Sequence, residues 1–153
     1  MDINIKRDGL TLRGRLERPD TESKCPAAII FHGFTGDLGY ERDGLFQALA
    51  DLLTEKGIAV VRFDFNGHGK SDGSFTDMNV LNEIEDAIAI LEYVRKLDFV
   101  TEIYVIGHSQ GGVVAGMLAG YYPDVIHKLV LLAPAATLKD DAQKGVCMDA
   151  VYD

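Results

Sequence analysis

An α/β architecture, built on a mostly parallel sheet with helices on both faces, is predicted by three observations. After an opening pair of alternating segments, strand-like and helix-like stretches alternate along the chain, the pattern of βαβ units. The later strand-like runs, such as Ala27-Ala28-Ile29-Ile30-Phe31 and Leu129-Val130-Leu131-Leu132, are continuously apolar. Parallel strands buried on both faces read this way, whereas half-buried antiparallel strands alternate. The chain has 153 residues, 47% of them apolar, enough for one domain with a true core.

Residues 3–7 and 10–17 alternate in polarity around Asp8-Gly9, the strongest short signal for a type I′ hairpin, because both central positions need φ > 0. Residues 18–26 are polar and read as a loop, followed by the strand at 27–31. Leu45, Leu49, Leu52 and Leu53 recur at helical spacing, so a helix is expected over 43–56, closed by Gly57. A strand follows at 58–63. Val80, Ile84, Ala87, Ile88, Leu91 and Val94 predict a second helix over 79–97. Thr101 to Ile106 is a β-branched run, Gly112 to Ala119 is small and apolar and reads as a tightly packed helix, and Pro123 to Leu132 reads as a turn entering a sixth strand. No internal repeat, low-complexity tract or interdomain linker is visible.

Chemistry enters at Gly107-His108-Ser109-Gln110-Gly111. A serine between a buried strand and a small-residue helix, in a G-x-S-x-G frame, is the pattern of a nucleophile elbow. A serine hydroxyl is a weak nucleophile at its free pKa, so it needs exposure, a base and a waiting anion site. The sharp turn gives exposure. The glycines leave room for the helix to approach the strand. The backbone N–H of Gln110, next after the serine, points where an oxyanion would form, and the helix N-terminus adds partial positive charge. Upstream, Phe31 runs into His32-Gly33-Phe34-Thr35-Gly36, a glycine-containing loop after the third strand, which supplies the second oxyanion donor in such sites. That donor is assigned to the backbone N–H of Phe34. Gly33, Phe34, His108 and Gln110 are the residues expected to line the substrate.

A third glycine-rich segment runs from Asp64 to Gly73. Its Gly69-Lys70-Ser71 lacks the first glycine of a phosphate-binding loop, and Gly67-His68-Gly69 has Asp72 where a dinucleotide fingerprint needs its third glycine. It is expected to be a structural loop, with His68 a hydrogen-bonded member rather than a catalyst.

The segments 32–36, 64–73 and 107–112 together resemble the α/β-hydrolase superfamily, most of all the serine esterases that cleave hydroxycinnamate esters, the feruloyl or cinnamoyl esterases. The resemblance runs from the hairpin to Ala133-Pro134-Ala135. It implies an α/β-hydrolase fold, Ser109 as nucleophile, and the N–H groups of Phe34 and Gln110 as oxyanion hole. It also implies an acid and a histidine base later in the chain, in the order Ser, Asp or Glu, His. Of the four histidines, His32, His68 and His108 lie at or before the serine. His127 follows it, but at the start of a strand rather than its carboxyl end, where ligands gather; Asp124 is no better as the acid. By this resemblance the chain reads as the N-terminal part of an esterase: residues 1–137 as core, residues 138–153 as the start of a lid, with the C-terminal strands, triad acid and triad base absent. The sixth strand would then present an apolar edge, to be covered by a second polypeptide or another copy.

The formal net charge of −9 argues against nucleic acid and anionic membranes as partners. No run approaches the ~20 apolar residues of a membrane span, and Met1 to Asp8 lacks the apolar stretch of a signal peptide; a cytoplasmic location is the expectation. Cys25 and Cys147 have neither metal-ligand spacing nor a disulfide framework, so no metal or cofactor is expected. Three functional readings stand: a carboxylic-ester hydrolase acting on small, aromatic esters; a lysophospholipase, monoacylglycerol lipase, thioesterase or acyltransferase with the same elbow; and a non-catalytic hydrolase-like domain.

Overall fold

A computed structural model describes the backbone of residues 1–144, 146–147 and 150–151, and side chains through Lys144 except those of Leu138 and Ala142. A six-stranded sheet runs in the order β1-β2-β4-β3-β5-β6. Strands β1 (Asp2–Arg7) and β2 (Leu10–Glu17) form the antiparallel hairpin. Its turn residues Asp8 (φ 46°) and Gly9 (φ 82°) are both left-handed, as a type I′ turn demands. Strand β2 then pairs antiparallel with β4 (Ala59–Phe63). Strands β3 (Cys25–Phe31), β4, β5 (Val100–His108) and β6 (Ile126–Leu132) are parallel.

Helix α1 (Leu45–Glu55) covers one face; α2 (Val80–Arg95) and α3 (Gln110–Tyr121) cover the other. The period of two in β3 sorts its side chains: Ala28 and Ile30 join Val60, Ile106 and Ala50 under α1, whereas Ala27, Ile29 and Phe31 join the larger core beneath α2 and α3. Helix α2 starts at Asn79, whose side chain accepts from the Asn82 N–H while the Asn82 side chain caps the Asn79 N–H. That reciprocal pair satisfies two donors that a helix start leaves free. Helix α1 ends at Gly57 (φ 83°), where Ile58 N–H donates back to Leu53 C=O.

The elements expected from the sequence are present, with ends shifted by one to three residues. Helix α3 begins two residues earlier than the apolar run suggested, at Gln110. Strand β6 lies at the edge of the sheet. It hydrogen-bonds only β5 among the described residues, and Leu129, Val130 and Leu131 are each about two-fifths exposed. No helix among the described residues is long and apolar enough to cross a membrane. In the segment read as the start of a lid, α4 spans Leu138–Lys144 and Val146–Cys147 pairs antiparallel with Ala150–Val151; residues 145, 148, 149, 152 and 153 of that segment lie outside the described residues.

Candidate active site

Ser109 sits between the end of β5 and the start of α3 with φ 55° and ψ −122°, a backbone conformation that costs a non-glycine residue ~1–3 kcal/mol. Its surroundings hold it there. Ser109 N–H donates to Leu132 C=O at the end of β6 (3.1 Å), and its carbonyl accepts from Gly112 N–H (2.9 Å) and Ala135 N–H (3.0 Å). The neighbouring glycines are set by contact. A Cβ on Gly107 would lie 2.7 Å from the Ala115 Cβ, and one on Gly111 would be driven into the backbone carbonyls of Phe31 and His32.

The loop after β3 lies against this elbow. A Cβ on Gly33 would come 2.9 Å from Ser109 Cβ and 3.4 Å from its Oγ. His32, which is buried, fixes the loop's orientation. Phe65 N–H donates to His32 Nε2 (3.1 Å), so the neutral ring carries its proton on Nδ1, which donates to Gly33 C=O (2.8 Å). The Gly33–Phe34 peptide is trans, so its N–H points opposite to that carbonyl, away from His32. Among the described residues, neither the Phe34 N–H nor the Gln110 N–H donates a hydrogen bond. Two unspent donors therefore flank Ser109, from the β3 loop and from the first position of α3.

Burial pushes His32 down to about 4, with the Gly33 hydrogen bond opposing the shift. The unfolded chain takes up this proton below the ordinary value of 6.5, whereas the folded protein resists until about 4. Stability from His32 is thus complete above pH 6.5 and is lost as pH falls towards 4, by about 3 kcal/mol in all. Glu83 works in the opposite sense. Burial lifts its carboxyl from 4.5 to about 7, so its contribution falls as pH rises through that window. In a Glu83→Gln background, which removes that opposing carboxyl, urea midpoints are expected to drop between pH 6.5 and 4. A flat profile in that background would contradict the buried neutral ring.

The other residues marked in the sequence separate. The His108 ring packs edge-on against Phe46 of α1, 5.9 Å between centroids. The His127 ring accepts Ile103 N–H (3.2 Å) at the N-terminal end of β6, remote in the strand from Leu132, which pairs with His108. His68 is buried in its loop and hydrogen-bonded there, Nδ1 meeting Asn66 C=O (2.9 Å); among the described residues its Nε2 has no partner. The structural role of the 64–73 loop is clear from Asp64, whose carboxylate accepts from Leu38 N–H (2.7 Å), Lys70 N–H (2.8 Å) and the Tyr40 hydroxyl, tying this loop to the one carrying Phe34.

Two groups went unmarked in the sequence. One is Phe75 (43% exposed) on the one-turn helix Phe75–Asp77, whose ring lies 5.3 Å from that of Phe34 (38% exposed). Beneath the elbow, Gln110 Nε2 donates to Glu83 Oε1 of α2 (2.7 Å), and Asp86 one turn on binds Arg7 Nε (2.7 Å) and both the backbone N–H and Nδ2 of Asn66 (2.7 Å each). Both carboxylates belong to the buried stripe of α2 that continues through Ile90 and Val94.

The strained serine on its strand–turn–helix lies within a stretch that a known protein family covers. The family described as serine aminopeptidase, S33 (Hydrolase_4), matches residues 23–149. The chain belongs to this α/β-hydrolase family. Among solved structures, Est1E from Butyrivibrio proteoclasticus with ferulic acid bound superposes on this chain with a TM-score of 0.89 and 38% identity, covering 99% of this chain and 60% of its own. The monoglyceride lipase of Mus musculus is 29% identical over 153 residues, which is 92% of this chain and 47% of the lipase. Protein phosphatase methylesterase 1 of Candida albicans is 30% identical over 112 residues, 72% of this chain and 30% of its own. The chain thus spans half or less of these curated relatives.

Proposed function

We propose that Ser109 is the nucleophile of a carboxylic-ester hydrolase. The observation that carries this reading is the elbow with its two unspent N–H donors. Ser109 Oγ attacks the ester carbonyl carbon and passes its proton to a histidine base. The carbonyl oxygen gains negative charge and is received by the N–H groups of Phe34 and Gln110, each worth about 3 kcal/mol to the transition state. The C–O bond to the alcohol breaks, the base returns its proton to that alcohol, and an acyl-serine remains; water then adds by the same route and releases the acid. The four histidines of this chain do not fill the base's place, since His32 is held neutral by burial with both ring nitrogens engaged by backbone groups, and the others lie as described. The base and acid are assigned to polypeptide beyond these residues, which would also cover the open edge of β6.

The substrate class proposed is a small aromatic ester of the hydroxycinnamate type. Two things support it: the exposed Phe34–Phe75 pair beside Ser109, a surface on which an aromatic acyl group stacks, and the likeness to Est1E, which carries ferulic acid. A monoacylglycerol is the second reading, favoured by the likeness to the mouse lipase. The test uses the whole protein. Methyl ferulate and a monoacylglycerol are compared as substrates, and a fluorophosphonate probe is followed by intact mass. Faster turnover of methyl ferulate and one added probe mass, lost in Ser109→Ala, is expected. Preference for the monoacylglycerol moves the substrate class; no labelling at Ser109 leaves a hydrolase-like domain without this chemistry.

The exposed row Leu129, Val130 and Leu131 on an open strand edge also has a physical consequence. Unpaired N–H and C=O groups beside apolar side chains recruit another chain. Light scattering of these 153 residues expressed alone is expected to show self-association. A monodisperse species of 16.7 kDa would overturn that expectation.

A further inference from the structure

Glu83 is 1% exposed, and among the described residues no cation pairs with its carboxyl. Arg7 of β1, the nearest positive group in the network, is taken by Asp86 at 2.7 Å and reaches towards Glu85 at 3.5 Å. Asp86 spends its other oxygen on Asn66 of the loop after β4. The one side-chain hydrogen bond that Glu83 makes among the described residues comes from Gln110. A buried, unpaired carboxyl is costly, and an apolar residue in the same stripe would pack α2 at less expense. Its position explains its presence. Gln110 is the first residue of α3 and the one after Ser109; helix starts fray, and a start built of Gln110-Gly111-Gly112 has little side-chain packing to hold it.

We propose that Glu83 is a positioning residue for acyl transfer at Ser109: it anchors the Gln110 side chain to α2 and so fixes the Gln110 backbone N–H in the oxyanion site. The inference rests on Ser109 being the nucleophile. Gln110 contributes through its backbone, so its side chain can be altered without deleting the donor, and this makes the link testable.

The experiment measures kcat and KM for methyl ferulate in the whole protein carrying Glu83→Ala, Glu83→Gln, Gln110→Met, and Glu83→Ala with Gln110→Met. Active sites are counted by fluorophosphonate labelling, so that a loss of folded protein is not read as a loss of rate. Glu83→Ala is expected to lower kcat about tenfold, a fraction of the 10²–10³ that deleting a whole donor costs, with KM within about twofold. Glu83→Gln, which can still accept from Gln110, is expected to recover kcat to within about threefold of the parent. The double variant is expected to be no slower than the slower single, because the two side chains act as one unit. A kcat for Glu83→Ala within twofold of the parent, or additive losses in the double variant, would overturn the proposal.

A second readout needs no turnover. Burial pushes Glu83 up to about 7, with the Gln110 hydrogen bond pulling down and the Asp86 charge pushing up. Gln110 and Asp86 are the groups that act on it, and Asp86 is in turn bound by Arg7 and Asn66. The ¹⁵N shift of the Gln110 side-chain amide should therefore step near pH 7 in the parent and stay flat in Glu83→Gln. An amide indifferent to pH in the parent would count against the anchor. Ser109→Ala keeps the two questions apart: full hydrolysis in that variant removes the nucleophile reading, while the amide titration still reports whether Glu83 holds Gln110.

Discussion

Ser109→Gly is expected to make the protein more stable and to abolish hydrolysis together. At φ 55° and ψ −122° the serine Cβ is strained by ~1–3 kcal/mol. Glycine removes that strain but brings back ~0.5–1 kcal/mol of chain entropy. The net gain should be about 1–2 kcal/mol in urea unfolding. Loss of the hydroxyl should lower kcat/KM on the order of 10⁶-fold, the size seen where a serine nucleophile is removed from an intact site. Ser109→Ala separates the two effects, because alanine keeps the Cβ and the strain while losing the oxygen. It should match the glycine variant in activity and the parent in stability. If Ser109→Gly were less stable than the parent, the elbow would not be a site of stored strain.

Gly111→Val should be the most damaging single substitution in α3. The new Cβ has no path around the carbonyls of Phe31 and His32, because these belong to backbone at the end of β3. The helix must withdraw from the sheet, and with it Val114, Ala115 and Leu118, all fully buried. A cost of ~3 kcal/mol or more is expected, at the upper end of what overpacking produces, read as a loss of soluble protein or a large fall in Tm. Gly116→Ala is the matched control. Nothing lies within 4 Å of its added Cβ, and alanine is the better helix former by ~0.5–1 kcal/mol, so Tm should rise. Equal losses at the two positions would mean that close contact is not what selects glycine at 111.

These two positions were legible in the sequence because their causes are local: G-x-S-x-G between a strand and a small-residue run has few other structural solutions. The hairpin turn, the strand at 27–31 and the apolar stripe of α2 were legible for the same reason. Glu83, Asp86 and Arg7 were not. Helical periodicity assigns charged residues to the solvent face, yet Glu83 and Asp86 share a stripe with Ile90 and Val94, and Arg7 comes from 79 residues away. Arg62 was hidden in the same way inside an apolar strand; it is buried completely, its guanidinium held by both oxygens of Glu17, the Gln47 side chain and the carbonyls of Leu38 and Gly39. One signal was available in hindsight. Two carboxylates three residues apart in phase with a helix's apolar stripe mark partners arriving from elsewhere in the fold.

The His32 bond to the Gly33 carbonyl divides the labour of Phe34 between its two halves. The peptide is turned by the residue before it, so the direction of the Phe34 N–H does not depend on which side chain position 34 carries. The ring is left to answer to the substrate alone. On the proposed reading, substitutions at positions 34 and 75 would alter which ester is taken and leave the direction of that N–H unchanged.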